Sequence, residues 1–202
     1  MIEMNHLLNL STETSMRGKY DYPIWEIKNF DLPELKFNIG KLLDSHRFRY
    51  DLEIENNEPS LIKEFLDTWQ NNVKEILDNV KASDLLILDQ MWKGSIFYLN
   101  GNDNVELMCD KPGLNMSEHI DNRHVVAVLI INLKDNDSGT YIEELDFKGP
   151  TEKGTGIFML NNYNTSHSIH VPHNSEEDRY IGYQTLQYED FVFPREEGGL
   201  DT

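Results

Sequence analysis

Between residues 60 and 80, in SLIKEFLDTWQNNVKEILDNV, apolar side chains return every three or four positions: Leu61, Phe65, Trp69, Val73, Ile76 and Val80. That period lays them along one stripe of an α-helix, which Pro59 and Ser60 open. A stripe of this kind packs into a core and does not serve a cofactor. FNIGKLLDSHRF suggests a second, shorter helix. From about residue 94 the pattern shortens. GSIFYLN, NVELMCD, HVVAVLIINL, GTYIEELDF, GTGIFMLN, SHSIHV and RYIGYQTLQY are brief and rich in β-branched and aromatic residues. Turn formers part them, among them Asn-Gly-Asn-Asp, Lys-Pro-Gly and Lys-Gly-Thr-Gly. Seven closely spaced strands predict an all-β sandwich or barrel. Helices come first and strands later, so the class is α+β, a sheet core with helical support on one side. One domain over 1–202 is expected, with 1–93 as strand and helical support and 94–193 as the core. FPREEGGLDT reads as a loose tail.

Composition narrows the functions. The chain of 202 residues carries a formal net charge of -18, and Lys and Arg form no cluster along it. Such a surface repels phosphate backbones, so neither nucleic acid nor an acidic membrane is an expected partner. Cys109 is the single cysteine. It excludes intrachain disulfides and a thiolate zinc cluster, and a reducing, cytoplasmic setting is expected. The N-terminus lacks the basic-then-apolar order of a signal peptide, and no apolar run has membrane-spanning length.

Candidate chemistry gathers in NMSEHIDNRHV, residues 115–125, where His119, Asp121 and His124 are potential metal ligands. Strand side chains alternate, so His119 and Asp121 at a strand start aim at one point. A third ligand must come from NTSHSIHVPHN, which offers His167, His170 and His173. Ile169 and Val171 are core-facing, and His167 shares their face. His170 then faces outward, and His173 lies in a turn past Pro172. Either replaces His167 if the register slips. Two histidines and a carboxylate make the facial triad of non-haem Fe(II) oxygenases, with three adjacent sites open. Arg179 heads the next strand. Placed inward, its guanidinium demands an anion, and its fork suits a carboxylate.

In this arrangement the chain resembles the 2-oxoglutarate- and Fe(II)-dependent oxygenases with a double-stranded β-helix (jelly-roll, cupin-like) core. DKPGLNMSEHIDNRHVVAVLIINLKDNDSGT is similar to the stretch around their first two ligands. FMLNNYNTSHSI resembles the segment before their distal histidine, and RYIGYQTL the strand with their cosubstrate arginine. The resemblance spans about residues 91–190. It implies His119, Asp121 and His167 as catalytic metal ligands, and Arg179 as the partner of the 2-oxoglutarate C5 carboxylate. It also implies Fe(II), 2-oxoglutarate and O2 as the reacting set, with hydroxylation of a small metabolite, an amino acid or a peptide side chain. Two positions depart from the family pattern. Many relatives carry a serine two residues after the arginine, where this chain has Ile181. Many carry a tyrosine nine residues before the first histidine, where it has Asp110. The second group for the far carboxylate is therefore unassigned; were Arg179 a surface residue, Arg123, Lys93 and Lys134 would be the next anchors to test.

Other readings attach to the same residues. His119 alone suits a surface, and Asp121 with Asn122 suits a turn. His124 suits a substrate-side or structural role, and Arg123 a surface. Arg179 could pair outside with Glu176, Glu177 or Asp178. A cupin-type metal enzyme without cosubstrate usually needs two histidines one residue apart and then a glutamate, which HIDNRH does not supply. A non-enzymatic metal-containing module is the third reading, since ligands and fold do not guarantee chemistry.

Overall fold

The computed structural model describes residues 1–7, 24–36, 41–44, 46–50, 57–82, 99–100, 105–121, 125–161 and 165–188. The elements are β1 (Glu3–His6), β2 (Ile24–Lys28), β3 (Lys41–Asp44), β4 (Arg47–Tyr50), α1 (Pro59–Ala82), β5 (Leu99–Asn100), β6 (Glu106–Asp110) and β7 (Asn115–His119). They continue as β8 (Ala127–Asn132), β9 (Thr140–Ile142), a 3-10 turn (Glu143–Leu145), β10 (Phe147–Lys148), β11 (Gly156–Leu160), β12 (His167–His170) and β13 (Arg179–Tyr188). The protein is mostly β, with two antiparallel sheets and one helix among the described residues. The large sheet runs β1-β2-β11-β8-β13-β6-β4-β3, and β5 adds to β13. The small sheet runs β10-β9-β12-β7. From β6 onward the chain passes between sheets: β6, β8, β11 and β13 lie in the large one, β7, β9, β10 and β12 in the small one.

The apolar run of β8 follows from its place. All six of its residues are buried. Ala127, Leu129 and Ile131 face the helix side, where they join Phe65, Trp69 and Val73. Val128 and Ile130 face the small sheet and join Ile142, Ile157 and Ile181. A strand covered on both faces needs apolar residues at both alternating sets. The helical stripe is seated as its period predicts: Phe65, Trp69, Val73, Ile76 and Val80 are buried. Full burial of such side chains contributes roughly 1.5–3 kcal/mol each. Trp69 lies against β13 at Gly182, where a Cβ would stand 2.5 Å from the indole ring. Its indole N–H donates to Gln184.

Two expectations fail, and one strand goes unpredicted. Among the described residues of FNIGKLLDSHRF there is no helix; Lys41–Asp44 and Arg47–Tyr50 pair as strands, with Leu42 opposite Phe48. The period-two sequence Arg47-Phe48-Arg49-Tyr50 prevails, because Phe48 packs on the helix-side core while both arginines turn to the other face. Helices also do not come first. Four strands precede α1, and β2 pairs with β11 inside the large sheet. NMSEH is a strand that its half-exposed, polar composition conceals. Residues 37–40, 94–98 and the 193–202 tail lie outside the described residues.

Candidate metal centre

His119 ends β7 and His167 begins β12, and the two are direct cross-strand partners. Their ring centroids are 4.5 Å apart. Asp121 follows two residues past the end of β7, not at a strand start as the spacing argument places it. Convergence there comes from the pairing of His119 with His167 and from Asp121 lying beyond the strand end. Ligand atoms of His119, Asp121 and His167 all lie within 4.8 Å of one another.

Each side chain is held so that one lone pair stays available. His119 Nδ1–H donates to the Ser117 carbonyl at 2.9 Å, and His167 Nδ1–H donates to the Thr165 carbonyl at 3.1 Å. Those bonds assign the tautomer that leaves each Nε2 as an acceptor or ligand. Burial pushes His167 below the usual histidine range, against the pull of Asp121, and so favours its neutral, ligating form. Asp121 Oδ1 accepts from the Tyr183 hydroxyl at 3.0 Å. Asp121 Oδ2 is buried with no hydrogen-bond partner and lies 3.7 Å from His167 Nε2. A buried carboxylate oxygen without a partner is costly. A cation held between it and the two Nε2 atoms removes that cost, so the donors present fit a divalent metal of the nitrogen- and oxygen-liganded kind.

Two further residues, which the sequence reading missed, support this arrangement. Tyr183 stands on β13, and burial beside Asp121 raises its pKa, which keeps the hydroxyl a donor. Asn161, just past β11, donates its side-chain N–H groups to the carbonyls of Asp121 (3.2 Å) and Val125 (2.9 Å). It thereby clamps both ends of the connection from β7 to β8. Tyr183 was legible in principle, since it shares the inward face of β13 with Arg179 and Ile181. Nothing local marks Asn161.

Arg179 is 1% exposed, at the start of β13 and inside the fold. Burial pushes its guanidinium pKa down, and the Asp110 carboxylate opposes that. Its anion is not on the surface at Glu176, Glu177 or Asp178. Nη1 donates to Asp110 Oδ2 at 2.8 Å and Nη2 to the Thr140 hydroxyl at 2.9 Å. The chain thus supplies a counter-ion of its own, and it does so from Asp110, the position where many of the resembled oxygenases carry a tyrosine. Arg47 Nε and Nη2 hold the other side of Asp110, at 2.6 and 2.9 Å. Arg179 Nε is buried without a partner. His170 and His173 are exposed, so His167 is the inward histidine of its segment. Trp92, Lys93, Arg123 and His124 lie outside the described residues, and Lys134 sits over the Tyr180 ring.

No protein-family model matches the chain, and no curated protein matches it in sequence. Solved structures do. The viral collagen prolyl hydroxylase of Paramecium bursaria Chlorella virus-1, in a truncated form, is similar at a TM-score of 0.59 with 20% identity, covering 91% of this chain and 99% of that one. Its complex with 2-oxoglutarate is similar at 0.50 with 21% identity, covering 70% of this chain and 78% of that one. The fold of this protein is that of these hydroxylases.

Proposed function

We propose that the protein is a 2-oxoglutarate- and Fe(II)-dependent hydroxylase built on a double-stranded β-helix over residues 106–188. One observation carries the reading: Asp121 Oδ2, buried and without a partner, faces two imidazoles whose Nδ1 atoms are already tied down. His119, Asp121 and His167 would hold the iron. Tyr183 and Asn161 would keep the aspartate in place. Arg179 would receive the far carboxylate of the cosubstrate. Its partner Thr140 lies two residues along β9 from Ile142, the cross-strand partner of His167, a step of about 7 Å. That step suits a five-carbon diacid reaching from the metal to the arginine. When bound, iron and 2-oxoglutarate, with O2 as the oxidant, would supply the chemistry that hydroxylates a C–H bond, one oxygen atom going to the product and the other to succinate as CO2 leaves. The chain supplies the ligands, the anion site and the apolar walls of the interior.

A peptide side chain, prolyl first, is the substrate class to test, because the two structures named above are of a collagen prolyl hydroxylase. Small metabolites and free amino acids are the next classes to screen. The iron-loaded protein is supplied with 2-oxoglutarate, O2 and a proline-rich peptide, and succinate and hydroxyproline are measured. Stoichiometric formation of both supports the reading; absence of succinate with every substrate contradicts it. A cupin-type metal enzyme without cosubstrate is the second reading. It draws on the Asp110–Arg179 pair, which satisfies the arginine internally. Failure of the metal-loaded protein to bind 2-oxoglutarate would favour it.

A further inference from the structure

Arg47, Asp110 and Arg179 are aligned across three strands. Arg47 on β4 is the register partner of Asp110 on β6, and Asp110 is the register partner of Arg179 on β13. The three side chains share a face of the large sheet and meet at one carboxylate. Asp110 is fully buried, Arg179 nearly so, and the Arg47 side chain is 14% exposed. Two guanidiniums around one carboxylate leave the cluster with a net charge of one positive unit.

The hydrogen bonds distribute that charge unevenly. Arg47 grips Asp110 side-on through Nε and Nη2, using both carboxylate oxygens. Arg179 reaches the same carboxylate by Nη1 alone. Its Nε–Nη2 edge, a side that takes a carboxylate with two parallel bonds, carries no acid. Nη2 touches only the Thr140 hydroxyl, and Nε has nothing. If Arg47 were absent, Asp110 and Arg179 would form a neutral pair, and the attraction for a second carboxylate would largely vanish.

We propose that Arg47 is a determinant of cosubstrate binding: by holding Asp110, it leaves Arg179 the charge and the free edge with which to take the far carboxylate of a 2-oxo diacid. This rests on the oxygenase reading above. Asp110 in turn prevents two bare guanidiniums from facing each other when the site is empty, which would be strongly unfavourable at such burial. The ladder is thus a single anion site with a built-in counter-charge, and its preference is for one carboxylate. Arg47 acts through Asp110 and is a positioning residue.

The test measures binding, not turnover. The full-length protein is loaded anaerobically with Fe(II) and titrated with 2-oxoglutarate and with 2-oxobutyrate, which lacks the far carboxylate. Wild type should bind the diacid more tightly. Arg47→Met should weaken 2-oxoglutarate by roughly tenfold or more, the scale of one unscreened charge at this range, and leave 2-oxobutyrate and metal affinity unchanged. Adding Asp110→Asn to Arg47→Met restores the net charge and frees Arg179, so 2-oxoglutarate affinity should recover. Should Arg47→Met not fold, Asp110→Asn alone decides: it should bind 2-oxoglutarate more tightly than wild type, with a larger upward shift in melting temperature on adding it. Unchanged affinity in Arg47→Met, a folded double variant that does not recover, or Asp110→Asn binding no more tightly than wild type overturns the proposal while the oxygenase reading stands. Wild type that binds metal but no 2-oxoglutarate overturns both.

Discussion

The Tyr183 hydroxyl donates to Asp121 Oδ1 at 3.0 Å, while Asp121 Oδ2, on the same carboxylate, is buried and bonded to nothing. One oxygen is thereby fixed and the other aimed. This division of labour is what a carboxylate needs to present a single ligand atom in a constant direction.

Tyr183→Phe should therefore weaken divalent metal binding by about 10–100-fold, the usual cost of losing an outer-shell partner. The ring stays, so the interior packing is kept. Calorimetric titration with Fe(II) or Co(II) reads the change; unaltered affinity would show that the hydroxyl does not orient the carboxylate.

The two histidine segments separate ligand from bystander. His119→Ala should abolish tight metal binding and any turnover with little effect on unfolding, since His119 contributes little to the core. His170→Ala should change neither, because its side chain is exposed. Similar losses in both variants would place the metal elsewhere.

Gly182 tests how the helix is seated. A Cβ there would meet the Trp69 ring at 2.5 Å. Gly182→Ala should destabilise the protein by about 1–3 kcal/mol through overpacking, read by urea denaturation. A neutral effect would mean that α1 shifts outward freely.

The sequence discloses these features unevenly. The α1 stripe is legible because a buried helix face must repeat near 3.6 residues, and the strands β8, β11 and β13 are legible because their composition answers to burial. His119, Asp121, His167 and Arg179 stand out by type, spacing and order. What supports them does not. β7 is half exposed and polar, so burial leaves no period in it. The β3–β4 hairpin carries the period-two signal in only a few residues, and Arg47 acquires meaning only when it is brought beside Asp110. Asp110 looks like a departure from a family pattern when read alone. Its role depends on partners 63 and 69 residues away. Long-range ion pairs have no local signature, since they are created by register between strands distant in sequence.

In the proposed hydroxylase, His119, Asp121 and His167 hold Fe(II) with 2-oxoglutarate bound beside it. Anaerobic visible spectroscopy tests this most directly. Adding Fe(II) and 2-oxoglutarate together should produce a metal-to-ligand charge-transfer band that neither produces alone, and His167→Ala should lose it. No band in the wild type, or an unchanged band in His167→Ala, would contradict the account.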